Sequence, residues 1–268
     1  MDKIHSLTGM IDLVGQKTDK IQIANRIFFT EKILRSIFKN YSLLEIRTPA
    51  LEDESLFKRS VGDSSDIVNK ELYSFLDKNE KRIVLRPEGT AGVIRSIIEK
   101  KTDGDTHKLW YLGPMWRYER PQKGRFRQFY QAGVEILGYK EGIAELEMIS
   151  LICSINKALD VKNPVVKINH LGNKDCKKRF CNDLVDYLKP MSADLEKKDL
   201  ERLTKNPLRI LDSKSSETQN ILKDAPVIVD YLPQESKDLL ELIKDMFSDE
   251  CNIKIDYKLV RGLDYYTG

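Results

Sequence analysis

Residues 115 to 136 read MWRYERPQKGRFRQFYQAGVEI, with five basic and five aromatic side chains around one Pro/Gly-bearing loop. Arginine guanidinium forks bind phosphate bidentately and stay charged at physiological pH, and an aromatic ring beside them is a stacking platform for a base. The spacing predicts strands near 108–119 and 126–137, in which alternate side chains share a face. Arg117 and Glu119 then share a face of the first strand. Arg125, Phe129, Gln131 and Glu135 share a face of the second, opposite an apolar face of Phe126, Tyr130, Ala132, Val134 and Ile136, in which only Gln128 is polar. That pattern points to a nucleotide site on a rigid hairpin, with a basic, solvated hairpin as the competing reading. Glu135 weighs against solvation, because a carboxylate between Val134 and Ile136 is costly without a cationic or donor partner.

Two further stretches carry chemistry. In RPEGTAG, residues 86 to 92, Glu88 and Thr90 offer a carboxylate and a hydroxyl to an ammonium group at a helix start; alternatively Thr90 caps that helix and Glu88 is solvated. In LVRGLDYYTG, Arg261 on a strand with Tyr265 and Tyr266 behind it offers a phosphate ligand and phenols, or else a Tyr-rich core strand. His170, Cys176 and Cys181 lie close in sequence but match no zinc spacing, so no protein-held metal is expected. The four cysteines are too sparse and irregular to form a disulfide framework.

The elements that must position these groups follow from periodicity. Thr18 or Asp19 is placed to cap a helix over about 20–39, and LLEIRTPALE reads as a strand stopped by Pro49. Residues 72–86 read as a hairpin around KNEK, and a helix over 91–101 starts behind Thr90 as its N-cap. A helix over 142–159 and the strand PVVKINHLG follow. From residue 173 the texture becomes Lys/Asp/Glu/Leu-rich, broken at Pro190, Pro207, Pro226 and Pro233, and reads as a helical insertion before β character returns near 253.

At 268 residues the chain can hold one or two domains, with 41% hydrophobic and 32% charged residues and a net charge of +3. Residues 174–258 carry 16 Lys/Arg against 18 Asp/Glu, net −2, so the basic character is local to the hairpin. Mean hydropathy is −0.44 and no apolar run approaches the 18 or so residues of a membrane helix. No basic start followed by an apolar core opens the chain, so a cytoplasmic protein without a membrane is expected. Walker, dinucleotide, zinc-protease and kinase motifs are missing, which directs any ATP chemistry to an antiparallel sheet.

Taken in order, RPEGTAG, GPMWRYERPQKGRFRQFYQAGVEILG and RGLDYYTG resemble histidyl-tRNA synthetases, within the class II aminoacyl-tRNA synthetases. WRYE with the arginine hairpin looks like motif 2 of that class, and the helix, strand and Pro49 before it like motif 1. NPLRILDSK, residues 206–214, is similar to part of the insertion domain of bacterial members.

The resemblance implies an α+β fold, a class II antiparallel sheet flanked by helices. It places the catalytic core at 1–172, a helical insertion at 173–252 and a return to the core at 253–268. It further implies activation of L-histidine with ATP and Mg²⁺ to histidyl-adenylate, transfer to tRNA(His), and a homodimer through motif 1. Arg117 and Arg261 would bind the α-phosphate from opposite sides, with Glu119, Arg125 and Phe129 completing the ATP site. Glu88, Thr90 and Gln131 would take the amino group of histidine, Glu135 and Tyr266 its imidazole nitrogens, and Tyr265 would line the pocket. The family continues into a motif 3 and an anticodon-binding domain, so the sequence reads as an N-terminal catalytic fragment. The alternatives are a non-catalytic paralogue, such as the regulatory subunit of ATP phosphoribosyltransferase, or a pseudo-synthetase tRNA sensor. Retention of Arg117, Arg125 and Arg261 favours the enzyme.

Overall fold

The computed structural model describes residues 4–14, 23–61, 67–120, 122, 124–261 and 268, which fall into two compact units, 1–161 and 162–268. Each is an α+β body.

In the first unit, α1 (Ile23–Asn40) leads into two short strands, β1 (Leu44–Glu45) and β2 (Leu51–Asp53). The expected single strand is thus cut in two around Pro49, whose missing N–H cannot join a ladder. The cap expected at Thr18 or Asp19 lies outside the described residues. After α2 (Glu54–Val61), β3 (Tyr73–Leu76) and β4 (Arg82–Leu85) form the antiparallel hairpin read from sequence, and β2 pairs with β4 on its other side. Next come α3 (Thr90–Glu99), the long strands β5 (His107–Trp116) and β6 (Gln128–Leu137), and α4 (Ile143–Ala158).

The ten-residue β5–β6 ladder is antiparallel, and β1 joins β5 in parallel. One face carries Trp110, packed with Leu34, Ile37, Phe38 and Leu43 of the α1 end and Leu151 of α4. The other carries Tyr111 and Met115, packed with Val93 and Ile97 of α3. The expected division of β6 into a core face and a working face is therefore corrected. Helices pack on both faces around Trp110 and Tyr111, and the Tyr130 and Ala132 positions of the supposed core face are exposed. Gln128, the polar exception, accepts a hydrogen bond from Trp116 Nε1 at 3.1 Å.

In the second unit, β7 (Val165–Ile168) and β8 (Asn252–Ile255) pair in parallel. Between them lie α5 (Lys174–Leu188), α6 (Lys197–Lys205), α7 (Ser216–Ile221) and α8 (Gln234–Met246), joined by 3₁₀ turns. Proline ends or starts these pieces: Pro190 and Pro207 open 3₁₀ turns and Pro233 precedes α8. Phe180, Leu184, Leu188, Ile210, Leu222 and Ile228 are buried together in this unit. Asp199, 2% exposed, is held by Ser213 Oγ at 2.5 Å, Thr218 Oγ1 at 2.8 Å and Arg202 Nη1 at 3.0 Å. Three donors make a buried carboxylate tolerable where one would not.

Candidate active site

The amino-acid-sized end of the site is built by two glycines and one tyrosine. In the β5–β6 register Tyr111 faces Gly133. A Cβ at Gly133 would stand 2.1 Å from the Tyr111 ring, and one at Gly89, just before α3, would stand 2.2 Å from it. Neither glycine is needed for a left-handed backbone; both are needed for space. The ring sits in the room they leave, 6% exposed, and ties the start of α3 to the sheet.

That tie brings the predicted acidic and hydroxyl groups together. Glu88 accepts the Thr90 N–H at 2.6 Å on one carboxylate oxygen and the Ala91 N–H at 2.9 Å on the other. Glu88 therefore satisfies the helix start, and two expectations are corrected: Glu88 is not left to solvent, and Thr90 is the first helical residue, behind Gly89, which has no side chain to cap with. Relieved of capping, the Thr90 hydroxyl donates to Glu135 Oε1 at 2.7 Å, across 45 residues of sequence. This is the partner that a carboxylate between Val134 and Ile136 demanded. Burial pushes the Glu135 carboxyl above its usual range, and the nearby Glu88 pushes the same way, while the Thr90 hydroxyl pulls it back. Burial also pushes the Tyr111 phenol up to about 12; Thr90 and the Gly89 N–H act against it, and Glu135 and Glu88 act with it. Tyr111 stays protonated at any physiological pH.

On the same face of β6, opposite Gly113, the Gln131 side-chain oxygen is buried with no hydrogen-bond partner among the described residues. An orphaned buried acceptor on that face is a place for a donor that arrives with a ligand. A basic group and a primary amine are the species this arrangement would bind: two carboxylates, a hydroxyl and an amide oxygen share one end of the hairpin.

The other end is cationic. Arg117 extends the ladder just past β5, its N–H donating to the Arg127 carbonyl at 2.9 Å. Its guanidinium donates from Nε to the Pro87 carbonyl at 2.9 Å and lies over the Phe129 ring, 5.1 Å from the centroid. This fixes the plane of the fork while leaving both Nη groups without a partner among the described residues. Arg125 Nη1 pairs with Glu119 at 3.0 Å near the hairpin tip, where the two are partly exposed. The N-terminal segment runs beside this hairpin: the Gly9 carbonyl accepts the Arg127 N–H at 2.8 Å and the Gln128 N–H at 3.2 Å.

Arg261 belongs to the second unit, where it is exposed and follows a turn rather than sitting on a strand. Asp256 makes that turn, accepting the Lys258 N–H on its side chain at 3.1 Å and the Leu259 N–H on its carbonyl at 2.8 Å. Tyr265 and Tyr266 lie outside the described residues.

Tyr111 and Arg86 were missed by reading motifs alone. Arg86 crosses below Gly113 and donates to the Thr48 carbonyl at 2.7 Å and the Pro114 carbonyl at 3.2 Å, stitching β5 to the segment before β2. For Tyr111 a signal existed, since glycines at 89 and 133 bracket two otherwise well-formed elements, and a glycine inside a strand marks close approach of another group.

The sequence profile of the family described as histidyl-tRNA synthetase matches residues 22–268. The chain is 43% identical over its whole length to a histidine–tRNA ligase of Francisella philomiragia, of which the match covers 63%. It is 46% identical over 88% of its length to a histidine–tRNA ligase of a Picosynechococcus species, covering 56% of that protein. The crystal structure of apo histidyl-tRNA synthetase from S. aureus superposes with a TM-score of 0.70 at 32% identity, covering 96% of this chain and 60% of that one. The chain therefore spans roughly three-fifths of the relatives it matches. By sequence and by structure it belongs to the histidyl-tRNA synthetase family.

Proposed function

We propose that this chain carries the adenylate-forming core of a histidine–tRNA ligase. The observation that carries the reading is the Thr90–Glu135 hydrogen bond at 2.7 Å. It joins a half-buried acid, on the face of β6 that also holds Gln131, to a hydroxyl at the start of α3 beside Glu88; the ring-backed Arg117 lies farther along the hairpin. In this reading Glu88, Thr90 and Gln131 take the α-amino group of L-histidine, the orphaned Gln131 oxygen accepting one N–H. Glu135 takes an imidazole nitrogen. Arg117, with Nε committed to Pro87 and Phe129 behind it, presents its Nη pair to the α-phosphate of ATP; Glu119, Arg125 and Phe129 take the rest of the nucleotide.

The substrate's own carboxylate then attacks the α-phosphorus, the α–β phosphoanhydride bond breaks, and pyrophosphate leaves with its electrons. Transfer of the aminoacyl group to the 3′ end of tRNA(His) follows. No protein nucleophile is required, so the residues act by positioning and by stabilising charge on the phosphate. Mg²⁺ would accompany the triphosphate, whose oxygens supply its preferred ligands. Specificity follows from buried groups that an analogue without ring nitrogens would leave unpaired.

Three coarser elements belong to the same proposal. The catalytic core spans 1–172 and 253–268 with a helical insertion at 173–252. The roles of Arg261, Tyr265 and Tyr266 rest on the family resemblance alone. A homodimer through the motif 1 region is supported by exposed apolar side chains there, with Phe29 61% and Leu44 69% exposed. No helix among the described residues is long and apolar enough to cross a membrane, and a cytoplasmic location fits the proposed reaction.

The test is histidine-dependent ATP–pyrophosphate exchange on the purified chain beside a calorimetric titration with histidine. Exchange together with saturable histidine binding is expected. A folded sample that shows neither would refute the assignment of the pocket.

A further inference from the structure

We propose that Arg86 is a positioning residue for Arg117: its guanidinium ties the loop before β2 to the outer edge of β5, and so fixes the Pro87 carbonyl that aims the Arg117 fork. That the fork is aimed at a phosphate rests on the adenylate-forming reading given above; the tie itself does not.

Arg86 fills a gap along β5. The strand β1 pairs with Leu109 and Trp110 alone, and its cover ends where the Ile46 N–H donates to the Trp110 carbonyl at 2.9 Å. Backbone groups of alternate strand residues point to the same side, so Pro114 and Trp116 present theirs to that edge beyond the reach of β1. Pro114 has no N–H, which leaves only its carbonyl to be satisfied. Arg86 meets both residues: its Nε donates to the Pro114 carbonyl at 3.2 Å, and its own carbonyl accepts the Trp116 N–H at 3.1 Å. On the other side Nη1 donates to the Thr48 carbonyl at 2.7 Å and to Thr48 Oγ1 at 3.1 Å, while the Arg86 N–H donates to the Ala50 carbonyl at 2.9 Å. One residue thus joins the sheet of β2, β4 and β3 to the sheet of β1, β5 and β6.

The tie carries directly to Arg117. Trp116, held by the Arg86 carbonyl, precedes Arg117 in the chain, and Pro87, which follows Arg86, accepts Arg117 Nε at 2.9 Å. Two neighbouring carbonyls therefore hold two neighbouring residues, one by its backbone and one by its guanidinium. Both residues on the accepting side are stiff, since the proline ring fixes its own φ and confines the residue before it to extended backbone. The Pro87 carbonyl moves with whatever holds Arg86, and the Arg117 fork, with Phe129 against it 5.1 Å from the ring centroid, moves with that carbonyl. Burial works against the charge of Arg86, and the acid that favours it, Glu52, is itself bonded to Arg95 at 2.7 Å. A half-buried cation held by neutral oxygens is a costly way to pack a side chain; what it supplies here is geometry. Glu88 has its own anchor at the start of α3, so the acidic end of the site does not depend on this tie.

Arg86→Met removes the donors of the guanidinium while keeping a long side chain and the backbone bonds. The first measurement is the rate at which the Arg117 Nε proton exchanges with water, read by ¹⁵N NMR on the full chain without ligand. It should rise about three- to tenfold, the size expected from loosening one hydrogen bond. Arg86→Lys, which keeps a cation but loses the fork, should fall between variant and parent. Gly113→Ala disturbs the same tie from outside: its methyl would stand 2.8 Å from Arg86 Nη2, short of an ordinary contact of about 3.5 Å. There the rate should rise about twofold, and this variant decides the question if Arg86→Met does not fold. A rate within about 1.5-fold of the parent in the folded variant overturns the proposal. The second measurement is histidine-dependent ATP–pyrophosphate exchange. In Arg86→Met its kcat/KM for ATP should fall about three- to tenfold, with KM for histidine and the number of histidine sites by calorimetry unchanged. A merely structural role would lower the site number and the rate in step, and that result overturns the proposal. A fall in kcat/KM for ATP with the Arg117 proton as protected as in the parent would make Arg86 a phosphate ligand itself, and overturns it too. If the parent shows no ATP–pyrophosphate exchange, the adenylate reading fails while the Arg117 proton still decides the role of Arg86.

Discussion

Gly133→Ala isolates the packing on which the site depends. Gly133 is in an ordinary strand conformation, and glycine inside a strand costs about 0.5–1 kcal/mol against alanine in chain entropy. On backbone grounds alone the substitution should therefore stabilise. The structure predicts the opposite sign. The new methyl would sit 2.1 Å from Tyr111 Cζ and 2.5 Å from Cε1, against an ordinary carbon–carbon contact of about 3.5 Å. The ring would have to retreat by about 1.4 Å on that comparison, and the Gly89 backbone lies against its other edge. Overpacking of this kind costs about 1–3 kcal/mol. After the entropy gain is set against it, the net expectation is a loss of about 1–2 kcal/mol, or a fall in Tm of about 2–8 °C for a body of 150–250 residues. The decisive comparison is a double-mutant cycle by urea unfolding. Tyr111→Ala should itself cost about 3–5 kcal/mol, but in that background Gly133→Ala should become neutral or stabilising by about 0.5 kcal/mol. If Gly133→Ala costs the same in both backgrounds, the two positions do not share that space and the account of the site is wrong.

Three other outcomes follow from the same geometry. Arg117→Ala removes the guanidinium fixed by Pro87 and Phe129 and should abolish histidine-dependent exchange while histidine binding by calorimetry stays within about threefold; exchange at the parent rate would displace Arg117 from the phosphate. Glu135→Gln should lose histidine binding yet hold its stability as pH rises. Because the Glu135 midpoint is raised in the fold above the ordinary 4.5, the parent enjoys its full stability below 4.5 and loses part of it as pH climbs through the raised midpoint. The urea midpoint of the variant should therefore gain on the parent between pH 4 and pH 8; a constant gap would mean Glu135 is not desolvated. Asp199→Ala leaves the half-buried Arg202 without its carboxylate and the buried Ser213 and Thr218 hydroxyls without their acceptor, and should cost about 2–4 kcal/mol in the second unit; a cost below about 1 kcal/mol would show that network to be solvated.

What the linear order determined is whatever rests on local pattern. Alternation marked the β5–β6 hairpin, helical spacing and proline marked the pieces between 174 and 246, and the demand of Glu135 for a donor was plain from its two apolar neighbours. The run of three motifs also pointed to the family, and through it to the candidate residues. What the order of residues could not decide is which partner answers each demand, because that is settled by groups far apart in sequence. Thr90 is a natural helix cap by local rules; only the tertiary structure shows Glu88 taking that work, which frees the hydroxyl for a carboxylate on β6. Tyr111 looks like one apolar strand residue among several until Gly89 and Gly133 are seen to leave the space it fills. The two faces of β6 could not be ranked either, since burial of each depends on which helix the chain folds back over it. A strand states its alternation in its own sequence, whereas cover, hydrogen-bond direction and the room for a ring are properties of the packed molecule.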